Sequence, residues 1–194
     1  PNLKCKIFAT PFTALLITEK FKEKKIDINP FLKIVDLNST LKLGSFKIEF
    51  ITLTHSILEP NGLRIETPVG NILHTGDWKC DPDPLIGKAI DSDRLKEIGK
   101  QGVLAMICDS TNVFSVGRAG SESDVRKSLL NIMSNIKKRI LVTSFASNVA
   151  RMETVFYCAE KIGRKVSLVG RSMNRIFKSA RQCGYLKSIQ DPVD

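Results

Sequence analysis

The 194-residue chain is long enough to bury one large core or two smaller ones. Its 42% apolar and 26% charged residues are ordinary for globular domains, and no apolar run approaches the roughly 20 residues of a membrane helix, which excludes a helical span. Thirty lysines and arginines against twenty acidic residues give a formal charge of +10, a balance that attracts polyanions, nucleic acid first, although a lysine-rich solvated surface gives the same total.

The five cysteines, Cys5, Cys80, Cys108, Cys158 and Cys183, are odd in number and form no C-x-x-C pair, so reduced thiols and a cytoplasmic protein are expected. PNLKCKIFAT at the start has neither an initiator methionine nor the regions of a signal peptide, which predicts a piece that begins in mid-protein.

KCKIFAT predicts a short strand and PFTALLITEKFKEKKI an amphipathic helix, with Pro11 in the first turn, where no N–H is needed. FKIEFITLT alternates Phe46, Ile48 and Phe50 with charged neighbours, the period of a strand. GLRIETPVGNILHT places two apolar segments around Pro-Val-Gly-Asn, a hairpin signal. After the DPDPLIG loop, SDRLKEIGKQG predicts a helix stopped by Gly102. VLAMICDSTN is a continuous apolar run ended by Asp109, the pattern of a fully buried strand.

The glycine-rich SVGRAG is the candidate domain boundary. Beyond it SESDVRKSLLNIM predicts a helix, with Ser121 as N-cap and Asp124 in the first turn. KRILVTSFAS then reads as a strand, NVARMETVFYCAEKIG as a helix, RKVSLVG as a strand and RSMNRIFKSARQCG as a helix. Such alternation predicts a parallel sheet with crossover helices. YLKSIQDPVD adds no closing element.

Ligands of α/β folds collect at the carboxyl ends of strands. His55, Asp77, Asp109, Ser147 and Ser172 fall at such predicted ends. Imidazole and carboxylate are common donors to zinc or manganese, and a carboxylate can bridge two ions. Each residue also has a plainer reading. His55 can be an ordinary hydrogen-bonded residue, Asp77 and Asp109 can accept backbone N–H groups in turns, and Ser147 or Asn148 and Ser172 can cap helices. One histidine and one aspartate cannot close a site that needs three or four donors, so the residues alone define an incomplete candidate site.

THSI, GLRIETPVGNILHTGDWKCD, EIGKQGVLAMICDSTN, TSFASNVARM and RKVSLVGRSM follow one another in an order and spacing that resemble those of the ribonuclease J family, a member of the β-CASP branch of the metallo-β-lactamase superfamily. The chain resembles that family over nearly its whole length. The resemblance implies an α/β fold in which about residues 1–120 are the second part of a metallo-β-lactamase αββα sandwich and about 121–194 the first part of a parallel β-CASP domain. It implies a ribonuclease that degrades RNA from the 5′ end and also cuts internally, using two divalent ions, zinc or alternatively manganese or magnesium. In the family pattern His55 is a metal ligand, Asp77 bridges both metals, and Asp109 is an acidic catalytic-site group beside them. Ser147 and Asn148 of FASN, with Arg171 and Ser172 of GRSM, are implied as contacts to RNA phosphate, with Arg151 and Arg175 as further basic residues. His74 is not a ligand in this pattern.

The chain departs from the family where H-x-H-x-D-H and the later β-CASP histidines are absent, since His55 and His74 are its only histidines. Leu58, Glu59 and Pro60 stand where the family usually has Pro-Asp-Ser, and Ala150 where many members have histidine. The chain alone is therefore expected to bind metal poorly and not to hydrolyse RNA. The implied partners are RNA and further copies of the intact protein, without a membrane. Two rivals are a metallo-β-lactamase-fold hydrolase of small esters, against which CDSTN, FASN and GRSM argue, and a non-catalytic RNA-binding or scaffold domain.

Overall fold

Pro11 heads the first helix, as its fixed φ and missing N–H dictate. The computed structural model describes residues 5–117 and 119–193. Strand β1 (Ile7–Ala9), helix α1 (Pro11–Glu23) and strand β2 (Leu32–Ile34) form a small parallel crossover, with Phe12, Ala14 and Ile28 buried. Lys4 of the predicted first strand lies outside the described residues.

Five further strands form one sheet in chain order: β3 (Thr40–Leu43), β4 (Phe46–Thr52), β5 (Asn61–Thr67), β6 (Gly70–His74) and β7 (Ala105–Ile107). The pairs from β3 to β6 are antiparallel and β6–β7 is parallel. Strands β4, β6 and β7 consequently point the same way and end at one edge of the sheet. The predicted hairpin is β5–β6, and its turn needs Gly70. That residue has φ +149°, and a Cβ there would meet Leu104 at 3.0 Å.

The return from β6 to β7 carries α2 (Ser92–Gln101). Asp91 caps it by accepting the Arg94 N–H at 2.9 Å, and Gly102 ends it with φ +87°. The helix presses Ile98 onto Ile51 and Leu53, with Leu73, Ile90, Leu95 and Val103 around them. Fully burying each such side chain contributes about 1.5–3 kcal/mol. Beside this core Arg94 clasps Glu49 of β4 through two bonds, at 2.6 and 2.7 Å, and Arg64 of β5 lies 3.5 Å from the same carboxylate.

The chain divides into two compact units. One contains the chain through His55, Glu59–Pro82 and Gly87–Ala119; the other contains Ser56–Leu58, Asp83–Ile86 and the chain from Gly120. Arg118, within the candidate boundary SVGRAG, lies outside the described residues. The second unit holds α3 (Glu122–Ser134), α4 (Val149–Lys161) and α5 (Arg171–Gln182). Ser121 caps α3 as predicted, accepting the Ser123 N–H at 3.1 Å. Helix α4 buries Met152, Thr154, Phe156, Cys158 and Ala159, and Phe156 stacks on Phe177 of α5 at 5.6 Å. Arg126 of α3 pairs with Glu153 and lies over the Tyr157 ring at 4.5 Å.

Two expectations about strands are corrected. VLAMICDSTN yields a three-residue strand, not a fully buried one: Met106 is 61% and Ile107 55% exposed, so both faces of β7 are open, and among the described residues it pairs on one side only. KRILVTSFAS and RKVSLVG form no ladder among the described residues, so the predicted strand–helix alternation is realised in its helices alone. Alternating exposure persists from Arg164 to Val169, the local signal of a strand, and the Val193 N–H donates to the Val166 carbonyl at 2.8 Å without a ladder forming among the described residues. No helix among the described residues is long and apolar enough to cross a membrane.

Candidate functional site

Three same-direction strands deliver the first group of candidates. Strand β4 runs through Leu53 and Thr54 to His55, β6 through Thr75 and Gly76 to Asp77, and β7 through Cys108 to Asp109. His74 and Ile107 are register partners, and the Thr75 N–H continues that pairing to the Ile107 carbonyl at 2.9 Å. One edge of the first unit's sheet thus carries an imidazole and two carboxylates on adjoining loops.

The loops are held by buried threonines. Thr54, 3% exposed, exchanges a backbone bridge with Lys79, donates its hydroxyl to the Lys79 carbonyl, and accepts the Asp81 N–H at 3.1 Å. Thr75, 8% exposed, donates its hydroxyl to the Gly76 carbonyl at 2.8 Å and accepts the Asp109 N–H at 3.1 Å. Gly76 sits at φ +61°, and its N–H donates to Nδ1 of His74 at 3.0 Å. By accepting that N–H, His74 fastens the turn that leads to Asp77.

His55 is half-buried and Asp77 exposed. The Asp109 carboxylate accepts the hydroxyl and the N–H of Thr111, the turn-capping geometry that its sequence allowed. Those two bonds, the hydroxyl first, hold its carboxyl below the ordinary carboxylate range, and the nearby His55 adds in the same direction. Among the described residues no three His, Cys, Asp or Glu side chains converge closely enough to hold a metal ion. His55, Asp77 and Asp109 do not fit a complete cation site by themselves.

Asp81 escaped the sequence reading. It is 4% exposed, with Lys79 Nζ at 3.7 Å. KCDPDP looks like solvated loop, and the long-range contact of the Asp81 N–H to Thr54 has no counterpart in the local sequence, whereas Asp83 of the same loop is exposed.

The second unit carries the other candidates. Asn148 is the N-cap of α4 and accepts the Arg151 N–H at 2.8 Å. The Val149 and Ala150 N–H groups donate to the Ser56 carbonyl at 3.0 and 3.5 Å, so the donors of this first turn are engaged within the protein. Ser147 is exposed just before the cap; Arg171 and Ser172 are exposed at the head of α5, behind Gly170. Arg151 is held by Glu122 in two bonds of 3.2 Å.

A cavity of about 850 Å³ lies between residues 137–144, residues 164–169 and the face of α4. Lys137, Lys138, Arg139, Arg151, Arg164 and Lys165 line it with no carboxylate among its walls. Of the four candidate residues of this unit Asn148 lines it, and Ser147, Arg171 and Ser172 do not.

Residues 137–193 match the family described as ribonuclease J, beta-CASP domain. The chain is 38% identical over 192 residues to a ribonuclease J of Sinorhizobium meliloti, an alignment covering 98% of this chain and 34% of the relative. It is 41% identical to a ribonuclease J of Corynebacterium glutamicum, covering 94% of this chain and 25% of that protein. With a ribonuclease J of Thermus thermophilus it shares 37% identity, covering 93% and 32%. A crystal structure of a protein of unknown function from Enterococcus faecalis V583 matches with a TM-score of 0.63 at 17% identity, covering 96% of this chain and 47% of that one, a likeness of fold. The chain spans only about a quarter to a third of the length of these curated relatives, and along nearly all of its own length it is similar to ribonuclease J proteins, with residues 137–193 matching that family's beta-CASP domain.

Proposed function

We propose that the protein carrying this chain is a metal-dependent ribonuclease that hydrolyses RNA phosphodiesters, from the 5′ end and internally, in RNA processing and decay. Likeness to ribonuclease J proteins over 93–98% of the chain carries this reading. Support comes also from the common sheet edge on which His55, Asp77 and Asp109 lie. Residues 1–120 are assigned to a metallo-β-lactamase domain and 121–194 to a β-CASP domain. His55 and Asp77 are assigned as donors to two divalent ions, zinc by donor type, with manganese or magnesium as alternatives. The remaining donors would come from outside this sequence. Asp109 is the acidic group beside that centre. Ser147, Asn148, Arg171 and Ser172 are assigned to RNA phosphate; at Asn148 this competes with its capping of α4. The net charge of +10 suits a polyanionic substrate. The working form is a cytoplasmic homo-oligomer.

The test is hydrolysis of a 5′-monophosphorylated RNA by the full-length protein with added zinc or manganese. Metal-dependent cleavage that is lost in Asp77→Ala is expected; RNA binding without cleavage supports a scaffold instead. The 194-residue chain alone should not cleave, and metal-dependent cleavage by it that disappears in Asp77→Ala overturns that expectation.

A further inference from the structure

We infer that Thr54 and Thr75 are positioning residues, whose buried hydroxyls set the relative placement of the loops bearing His55, Asp77 and Asp109; the inference rests on the ribonuclease reading for its functional part. A hydroxyl is one donor and an acceptor on a short, stiff stem, so it can tie two chain segments at once. Both threonines do this. Thr54 directly precedes His55, and its hydroxyl joins that strand end to the Lys79 carbonyl and the Asp81 N–H, on the far side of Asp77. Thr75 lies two residues before Asp77, and its hydroxyl joins the Gly76 carbonyl to the Asp109 N–H.

The carbonyl that Thr75 holds belongs to the peptide linking Gly76 to Asp77, and the preceding peptide is held through its N–H by His74 Nδ1. The peptide planes on both sides of Gly76 are therefore fixed, and they set the direction in which Asp77 leaves the strand. The same hydroxyl sets the backbone of Asp109, while Thr111 orients its carboxylate. The two hydroxyls connect the three loops: Thr54 links the His55 and Asp77 loops, and Thr75 the Asp77 and Asp109 loops. Groups that orient reacting or ligating residues in this way change turnover more than substrate binding, because small displacements at the reacting atoms are what they prevent.

The test uses Thr54→Val and Thr75→Val, which keep shape and remove the hydroxyl, beside Thr54→Ser and Thr75→Ser, which keep it. In the 194-residue chain, amide hydrogen exchange at Asp81 should quicken at least about tenfold in Thr54→Val, and at Asp109 in Thr75→Val, with wild-type rates largely restored by serine. In the full-length protein the valine variants should lose about 10- to 100-fold in kcat on RNA with KM little changed, and serine should rescue them. Unchanged exchange overturns the bridging role. Quickened exchange with wild-type kcat overturns the positioning role and leaves the ribonuclease reading standing. A wild-type protein that does not cleave RNA removes the ribonuclease reading, and the positioning role with it, while exchange still reports whether the hydroxyls tie the loops. Loss of the cooperative thermal transition in both valine variants overturns positioning in favour of a purely structural role.

Discussion

Replacing Glu49 by glutamine tests what fastens α2 to the sheet whose edge carries the candidate site. Its carboxylate, 15% exposed, receives two bonds from Arg94, 28% exposed, and faces Arg64, 10% exposed. An exposed ion pair contributes about 0–1 kcal/mol, and breaking a fully buried one from one side costs about 3–5 kcal/mol. This clasp lies between those limits. Arg94 keeps Glu97 at 2.8 Å, and Arg64 keeps Glu66 at 3.4 Å and Asn71 at 3.2 Å, so neither arginine loses every partner. A loss of about 2–3 kcal/mol at neutral pH is therefore expected, with a Glu49–Arg94 coupling of about 1.5 kcal/mol or more in a double-mutant cycle. Trp78, the chain's one tryptophan, belongs to the same unit, so its fluorescence during urea unfolding reports the transition. The arginines, Arg94 first, hold the Glu49 carboxyl below its ordinary 4.5. The unfolded state takes up the proton first, so the contribution is complete above about pH 4.5 and is lost as pH falls through the folded value. The gap between wild type and Glu49→Gln should narrow over that range. A coupling under about 0.5 kcal/mol, or a gap that widens on acidification, refutes the clasp.

Three further outcomes are expected. Gly76→Ala should destabilise the first unit by about 1–2 kcal/mol in urea unfolding, since alanine is strained at φ +61° and its Cβ would meet the Asn61 carbonyl at 3.3 Å; an unchanged midpoint counts against the left-handed turn. Under native conditions a thiol reagent should label the exposed Cys5 and Cys80 rapidly and Cys158 only on unfolding, because burial both shields that thiol and pushes its pKa up. The Asp109 carboxyl, followed by carbon NMR, should titrate below its ordinary 3.8 and move up toward it in Thr111→Val, which removes the larger of the two bonds depressing it.

The helices were legible because their signals are local. Pro11, the Ser121 cap and the Gly102 stop lie within a turn of the elements they delimit. The β5–β6 hairpin was legible for the same reason, with two alternating runs around a short turn. Apolar, β-branched residues at KRILVTSFAS and RKVSLVG describe segments suited to a sheet, but a ladder also needs a neighbour, which a segment cannot announce. Exposure of β7 and burial of Asp81 are likewise set by what lies across the fold. His55, Asp77 and Asp109 were found as polar residues after apolar runs, and their common edge follows from the strand directions. The hydroxyls of Thr54 and Thr75 gave no signal in sequence, because their partners at Lys79, Asp81 and Asp109 lie 25–34 residues away.

The one-sided pairing of β7 bears on how the sheet edge opens. Among the described residues the three residues of β7 pair with β6 alone, after a return through α2, so one ladder supports that closure. The loop of Asp109 thus follows a strand held by one ladder, whereas β4, which leads to His55, and β6, which leads to Asp77, each pair on two sides. Local opening of this sheet end is therefore expected on its Asp109 side before its His55 and Asp77 side.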